Sequence, residues 1–258
     1  MNDRQYIEAI HAGHLIYWDM LGKLQGMENH NEGGLRWLSG GIFYNYYTTN
    51  TDVMDVVRRM KSGEIPNNLT FHTSDLTSDP TEIFRAAGMF KDGFGTLGMA
   101  HLLMDTTLPE PDKRLSISRV FEITSLKAAG AILNTVFDYR LFTLTHFQEM
   151  LQNDGQYFYL AEYDGLPVGA CMAQHGDDFV NISWVGTLNG YRKLGIAGYL
   201  IQEAEREGVN RGKAVGVLHA LANAVGAYKR IGYRGYCKTV QMEFITEASE
   251  AVDFEHSI

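Results

Sequence analysis

The chain has 258 residues, of which 45% are hydrophobic and 21% charged, and a formal net charge of −9. Such a length buries one large core or two smaller ones, and the composition is that of a soluble globular protein. The negative balance disfavours nucleic acid as a whole-protein partner, and the lack of any run of about 18 apolar residues argues against a membrane-spanning helix.

Met1-Asn2-Asp3-Arg4-Gln5 lacks the basic-then-apolar pattern of a secretory signal, and Cys171 and Cys237 make neither a disulfide framework nor a metal cluster. A cytoplasmic location is therefore expected. The opening helix carries Tyr6, Ile7, Ile10, His14 and Tyr17, and Gly33-Gly34 breaks the chain before a strand at Gly41–Thr48. His11 and His14 share a helix face, but no third metal ligand is evident in the sequence, and no metal is expected. Thr51–Lys61 has Val53, Val56, Val57 and Met60 at helical spacing. Leu69–His72 reads as a strand, and Asp79-Pro80-Thr81-Glu82 has the cap, first-turn proline and third-position glutamate of a helix that ends at Gly88. After a strand at Gly95–Met104, the rigid polar stretch Leu108-Pro109-Glu110-Pro111-Asp112 is the best candidate for a linker. It divides the chain into 1–114 and 115–258.

Beyond it, Phe121–Thr124 reads as a short strand, Thr124 or Ser125 caps a helix with Ala129, Ile132, Leu133 and Val136 on one face, and Thr145 caps a second helix. Gln156–Tyr163, Pro167–Gln174 and Phe179–Gly186 then form an antiparallel meander, with turns at Asp164-Gly165 and His175-Gly176-Asp177. The helix Ile196–Glu207 follows, with Gly208 placed to end it. Ala214–Ala220 is a buried strand, Ala224–Arg230 a short helix stopped at Gly232, and Tyr236–Phe244 the last strand. The fold class is thus α/β (α+β), a mixed sheet flanked by helices. Leu69–His72 with the helix before Gly88 mirrors Val215–Ala220 with the helix before Gly232, which sets Phe84 opposite Tyr228. A divergent duplication and a chance likeness of two short amphipathic helices both explain this.

Tyr191-Arg192-Lys193-Leu194-Gly195-Ile196-Ala197-Gly198 lies between a strand and a helix. Unpaired N–H groups and the positive dipole end at a helix start receive phosphate, and Gly195, Ala197 and Gly198 let a pyrophosphate approach the backbone. A tight turn into a helix explains the same residues. From Arg192 to Lys238 nine Lys and Arg stand against three Glu, a local balance of +6 that fits either a polyanionic ligand or a solvated face.

The order of elements, with Arg192-x-x-Gly195-x-Ala197 and the later Tyr228-Lys229-Arg230-Ile231-Gly232-Tyr233, resembles the GCN5-related N-acetyltransferase (GNAT) family over about 140 residues. The family signature is Q/R-x-x-G-x-G/A. The resemblance implies the GNAT fold and, taken with the duplication, two tandem GNAT-like halves of which only the carboxy-terminal one is active. It also implies one acetyl-CoA site per chain, used as cosubstrate. Val185, Gly186 and Thr187, in the position of a splayed strand, would hold the pantetheine arm. Arg192, Lys193, Leu194, Gly195, Ile196, Ala197 and Gly198 would hold the pyrophosphate, and Asn223 would contact the thiol end. Tyr228 matches the tyrosine the family often uses as general acid. Many relatives carry a glutamate in the strand before the phosphate loop. Here Phe179–Trp184 has no carboxylate, so the base is left open among His175, Asp177, Asp178, Glu122, His219 and a chain of waters. The amino-terminal half has no R-x-x-G-x-G/A, and Phe84 has no proton to give, so that half would close over the acceptor side. Its aromatic run Phe43–Tyr47 fits a substrate wall or alternating burial in a strand, and the acidic tail Glu247 to Glu255 reads as a solvated end.

The activity so implied is transfer of an acetyl group to a primary amine of a small molecule, or of a peptide, by direct attack. The alternative is a coenzyme A-binding sensor or scaffold without turnover. Acceptor identity, acyl-chain length and oligomeric state are not encoded in any feature of the sequence.

Overall fold

Asn2 starts the fold with a capping box: its side chain accepts from the Gln5 N–H at 3.0 Å, and the Gln5 side chain accepts from the Asn2 N–H at 2.8 Å. The helix α1 (Asp3–Leu21) follows. In chain order come β1 (Glu28–Glu32), β2 (Leu35–Ser39), β3 (Asn45–Tyr47), α2 (Val53–Lys61), β4 (Asn68–His72), α3 (Thr81–Ala86), β5 (Met89–Lys91) and β6 (Leu97–Leu102). After the proline-containing stretch come β7 (Leu115–Arg119), α4 (Ile123–Phe137), α5 (Leu144–Gln152), β8 (Gln156–Tyr163), β9 (Leu166–His175), β10 (Phe179–Thr187), α6 (Ile196–Asn210), β11 (Val215–Ala220), α7 (Val225–Arg230) and β12 (Arg234–Phe244). This computed structural model describes residues 1–32, 34–40, 45–47, 52–72, 81–91, 95–103, 108–137 and 142–244. No helix among them is long and apolar enough to cross a membrane. The cap Asp79-Pro80, the side chains of Phe43–Tyr47 and the tail Glu247–Glu255 lie outside the described residues.

The chain forms two compact units, neither continuous in sequence: Met1–Gln25 with Leu97–Tyr236, and Gly26–Thr96 with Cys237–Ile258. In the first, the sheet runs β6-β11-β10-β9-β8-β7, with β10 and β11 parallel and every other pair antiparallel. Helix α6 covers one face because Ile196, Leu200, Ile201 and Ala204 recur at helical spacing. It sits close: a Cβ on Gly169 would lie 2.9 Å from Ile196, and one on Gly208 only 2.2 Å from Val180. Gly208 therefore serves close packing and does not end the helix, which runs on to Asn210. Helix α4 covers the opposite face, where a Cβ on Gly186 would stand 3.3 Å from Val136. Helix α1 shares that face. Its Gly13 abuts Asn181 and Val217, and its Tyr17 hydroxyl accepts from Trp184 Nε1 at 3.1 Å.

In the second unit the sheet order is β1-β2-β3-β4-β12-β5, with β3 and β4 parallel and the other pairs antiparallel. Asp52 caps α2 through the Met54 N–H, and Val56, Val57 and Met60 pack with Leu35, Leu69, Phe71, Phe84 and Met242. The β1–β2 hairpin, paired from Glu28↔Ser39 to Glu32↔Leu35, is announced by no clear alternation in the sequence.

Two expected elements shift. The strand expected at Phe121–Thr124 is β7 at Leu115–Arg119, where Leu115 and Ile117 turn toward the core; Phe121 is 71% exposed and α4 already begins at Ile123. Thr143, not Thr145, caps α5, accepting from the His146 N–H at 3.3 Å. Compactness also cuts the chain elsewhere than the 114/115 linker. Strand β6, from before the linker, pairs with β11 from Leu97↔Ala220 to Leu102↔Val215. Thr239–Glu243 of β12, from beyond it, pairs with β4. Each unit thus has a parallel strand pair flanked by an antiparallel strand from across the linker. The helices α3 and α7 are both followed by a left-handed glycine, Gly88 at φ 94° and Gly232 at φ 96°.

Candidate functional site

The parallel pairing of β10 with β11 stops at Ile182↔Leu218, while β10 stays joined to β9 as far as Thr187↔Gly169. A bulge between Ser183 and Gly186, with Trp184 at φ 51°, bends β10 away at that point. The two strands therefore splay from Ser183 onward. Leu188 N–H bonds to the Val168 carbonyl at 2.9 Å, so by the alternation of an antiparallel ladder Thr187 turns its own N–H and carbonyl to the open side. That carbonyl accepts from Arg192 Nε at 3.3 Å, and the Thr187 Oγ1 is buried without a hydrogen bond among the described residues. Gly186 points its amide toward β9 and contributes mainly the space α4 needs.

A 3₁₀ turn at Asn189–Tyr191 leads into the phosphate-loop candidate. Lys193 (φ 69°) and Gly195 (φ 78°) are left-handed around Leu194, and Gly195 is the N-cap of α6 without any side-chain cap bond. Lysine pays about 1 kcal/mol or more for that conformation. Among the described residues the N–H groups of Lys193, Leu194, Gly195, Ile196 and Ala197 bond to no carbonyl, whereas Gly198 and Tyr199 N–H bond to the Gly195 carbonyl at 2.9 and 3.2 Å. Consecutive N–H groups of alternating hand form an anion-binding nest, here reinforced by the start of a 15-residue helix. Arg192 to Gly195 are exposed, so the nest is open to solvent.

Tyr228 lies on α7, half-buried, and its hydroxyl makes no hydrogen bond among the described residues. Burial, and secondarily the Cys171 thiol, pushes its pKa up to about 12. It is a phenol that stays protonated and has its donor unused. Asn223 is exposed in the turn between β11 and α7.

The family model for the GNAT acetyltransferase domain matches residues 122–248. The chain carries a GNAT acetyltransferase domain. No curated protein sequence matches it. Solved structures share the fold at low identity. A GCN5-related N-acetyltransferase from Kribbella flavida is 17% identical with a TM-score of 0.69, covering 93% of this chain and 98% of its own. One from Sphaerobacter thermophilus is 18% identical, with a TM-score of 0.63 and coverages of 84% and 75%. A tandem GNAT protein from the clavulanic acid biosynthesis pathway is 13% identical, with a TM-score of 0.60 and coverages of 89% and 88%.

Within the GNAT domain the candidate bases separate by position. His175 pairs with Val180, roughly 23 Å along β10 from Thr187, and Asp177 and Asp178 lie in the turn beyond it. Both His175 ring nitrogens are buried without a hydrogen-bond partner among the described residues, and burial lowers its pKa to about 4. Glu122 is exposed beyond the edge strand β7, three strands from β10. His219 alone stands at the mouth of the splay, one residue past Leu218 on the face that α1 covers. Its ring lies 5.0 Å from that of His14, edge on, and burial first, then His11, lowers its pKa to about 4. His14 Nε2 accepts from Trp18 Nε1 at 2.7 Å, which fixes its remaining proton on Nδ1. A neighbour of His11 and His14 that the sequence did not reveal is thus His219, on a strand more than 200 residues away in the chain.

Proposed function

We propose that the chain is an N-acetyltransferase that moves an acetyl group from acetyl-CoA to a primary amine, of a small molecule in preference to a peptide, by direct attack. The observation that carries this reading is the open nest at Lys193–Ala197 beside a splayed strand pair, with the Tyr228 phenol, unpartnered among the described residues, in the same unit. The N–H groups of the nest would hold the pyrophosphate, with Arg192, Lys193 and the bare Gly198 beside it. The amide groups of Val185 and Thr187 would pair with the pantetheine as an added strand. Asn223 would meet the thiol end.

Acetyl-CoA supplies an acyl carbon activated as a thioester. The amine nitrogen forms a bond to that carbon, the C–S bond breaks, and the thiolate leaves with the electron pair. Tyr228 donates its proton to the sulfur as the C–S bond breaks; the free thiol, at about 8.5, is the stronger acid of the two, so the transfer is concerted with departure and does not follow it. His219 takes the amine proton, since attack raises N–H acidity and a neutral imidazole then suffices. Solvent restores both groups.

We further propose that 1–114 is a degenerate GNAT-like half and 115–258 the acetyltransferase half, with one coenzyme site per chain. The shared strand arrangement and the Gly88/Gly232 helix ends support the duplication. Phe84, the counterpart of Tyr228, is fully buried and has no proton to donate.

A sensor that binds coenzyme A without turnover is the second reading, favoured by the missing carboxylate in Phe179–Trp184. Thiol release from acetyl-CoA, measured across amino sugars, polyamines, amino acids and a lysine peptide, separates the two. Amine-dependent thiol release is expected for at least one small amine. Coenzyme binding with no release on any amine would establish the sensor instead.

A further inference from the structure

We infer that the buried carboxylate of Glu205 positions Tyr228 for proton transfer, acting through Tyr233. The inference rests on the reading of Tyr228 as proton donor.

Glu205 lies on the core face of α6, 4% exposed, among Leu200, Ile201 and Ala204. Its Oε1 atom accepts from the Tyr233 hydroxyl at 2.6 Å and lies 2.7 Å from His101 Nε2. Tyr233 is 1% and His101 5% exposed, and their rings are 4.2 Å apart. The cluster joins α6, the segment leading into β12, and β6 from before the linker. The strand position facing it is Gly216, paired with His101. A Cβ there would lie 2.7 Å from Glu205 Oε1 and 2.8 Å from both His101 Nε2 and the Tyr233 hydroxyl. Only glycine leaves room for the three groups to meet.

Stability does not account for such a cluster. Removing a carboxylate from water costs several kcal/mol, and an apolar side chain of similar volume usually serves a core as well or better. What the cluster does supply is a fixed Tyr233. Its N–H bonds to the Tyr228 carbonyl at 3.1 Å across the left-handed Gly232, and its ring stands 6.2 Å from the Tyr228 ring. Among the described residues the Tyr228 hydroxyl has no hydrogen-bond partner, so its place there is set by what it packs against. The neighbouring ring that its own backbone reaches is the one pinned by Glu205.

A double-mutant cycle tests this, with kcat and KM for acetyl-CoA read by thiol release on the fastest amine of the panel above. Tyr233→Phe is expected to lower kcat about tenfold, with KM for acetyl-CoA changed less than about twofold, because a small misplacement of a reacting group lowers rate more than binding. Glu205→Leu is expected to match that loss, and Glu205→Gln to keep most of the parent rate, since its amide oxygen can still accept from the Tyr233 hydroxyl. In a Tyr228→Phe background, Tyr233→Phe is expected to have no further effect on kcat. Acetyl-CoA affinity of each variant, by titration, shows that it is folded; if Tyr233→Phe fails to fold, Glu205→Gln against Glu205→Leu carries the same comparison. A full loss in Tyr228→Phe with none in Tyr233→Phe, or losses that multiply in the double variant, would overturn the inference alone. No loss in Tyr228→Phe, or no turnover on any amine, would overturn the reading of Tyr228 and the inference with it.

Discussion

Tyr228→Phe is expected to lower kcat by about 10²- to 10³-fold while the affinity for acetyl-CoA stays within about twofold of the parent. The substitution removes one oxygen that has no hydrogen bond among the described residues, so the folded chain loses no internal bond. Phenylalanine keeps the ring contact with Tyr233 and the packing around Ile231 and Val225. What disappears is the phenol proton, held there because burial keeps the phenol neutral. An uncharged donor in a partly desolvated setting is worth several kcal/mol to a developing thiolate. Steady-state thiol release, paired with calorimetric titration of acetyl-CoA, reads the two effects separately. A variant whose kcat is unchanged would remove Tyr228 from the chemistry and leave protonation of the thiolate to solvent.

Cutting the chain at the linker is expected to be as severe for stability. Residues 115–258 expressed alone should not give a cooperatively folded unit, whereas co-expression with 1–114 should. The coenzyme-side unit depends on two elements from before residue 115. Without β6, the β11 edge from Val215 to Ala220 loses its antiparallel partner, and Met99 and Ala100, both fully buried, are missing from the core. Without α1, Asn181, Val217 and Trp184 lose their cover. Each large apolar side chain removed from a core is worth about 2 kcal/mol, and a domain is stable by only about 5–15 kcal/mol, so losing a strand and a helix exceeds the margin. An exposed apolar strand edge also invites aggregation. Circular dichroism and a urea titration of the separate piece check this; a sharp, reversible transition for 115–258 alone would show that β6 and α1 are dispensable.

Most of the carboxy-terminal half was legible in the sequence because its signals are local. The meander β8–β10 has turns at Asp164-Gly165 and His175-Gly176-Asp177, and α6 has a clean apolar stripe. The phosphate-loop candidate was legible for the same reason, since a nest and a helix start are written in eight consecutive residues. What was hidden is long-range. The pairing of β6 with β11 and of β12 with β4 depends on partners more than 100 residues apart, and no local pattern states it. Gly208 was expected as a helix stop because glycine carries no label distinguishing a C-cap from a close approach; only the Val180 side chain beside it decides. His219 could be suspected as one base among five. Its standing apart from His175, Asp177, Asp178 and Glu122 required the register of β10 with β9 and β11. The His101–Glu205–Tyr233 cluster had no signal at all, because its members are scattered over three elements and each alone resembles an ordinary strand or helix residue.

The central claim, one coenzyme site built on the Lys193–Ala197 nest, is tested most directly by calorimetric titration of acetyl-CoA into the parent chain and into Gly195→Val. Gly195 sits at φ 78°, which a β-branched residue resists, and a Cβ there would lie 3.2 Å from the Tyr199 ring. The substitution should therefore collapse the nest without reaching Tyr228 or the sheet. The account predicts one molecule bound per chain and an affinity lowered by about 30-fold or more in the variant. Absence of binding to the parent chain, or equal binding to Gly195→Val, would contradict it.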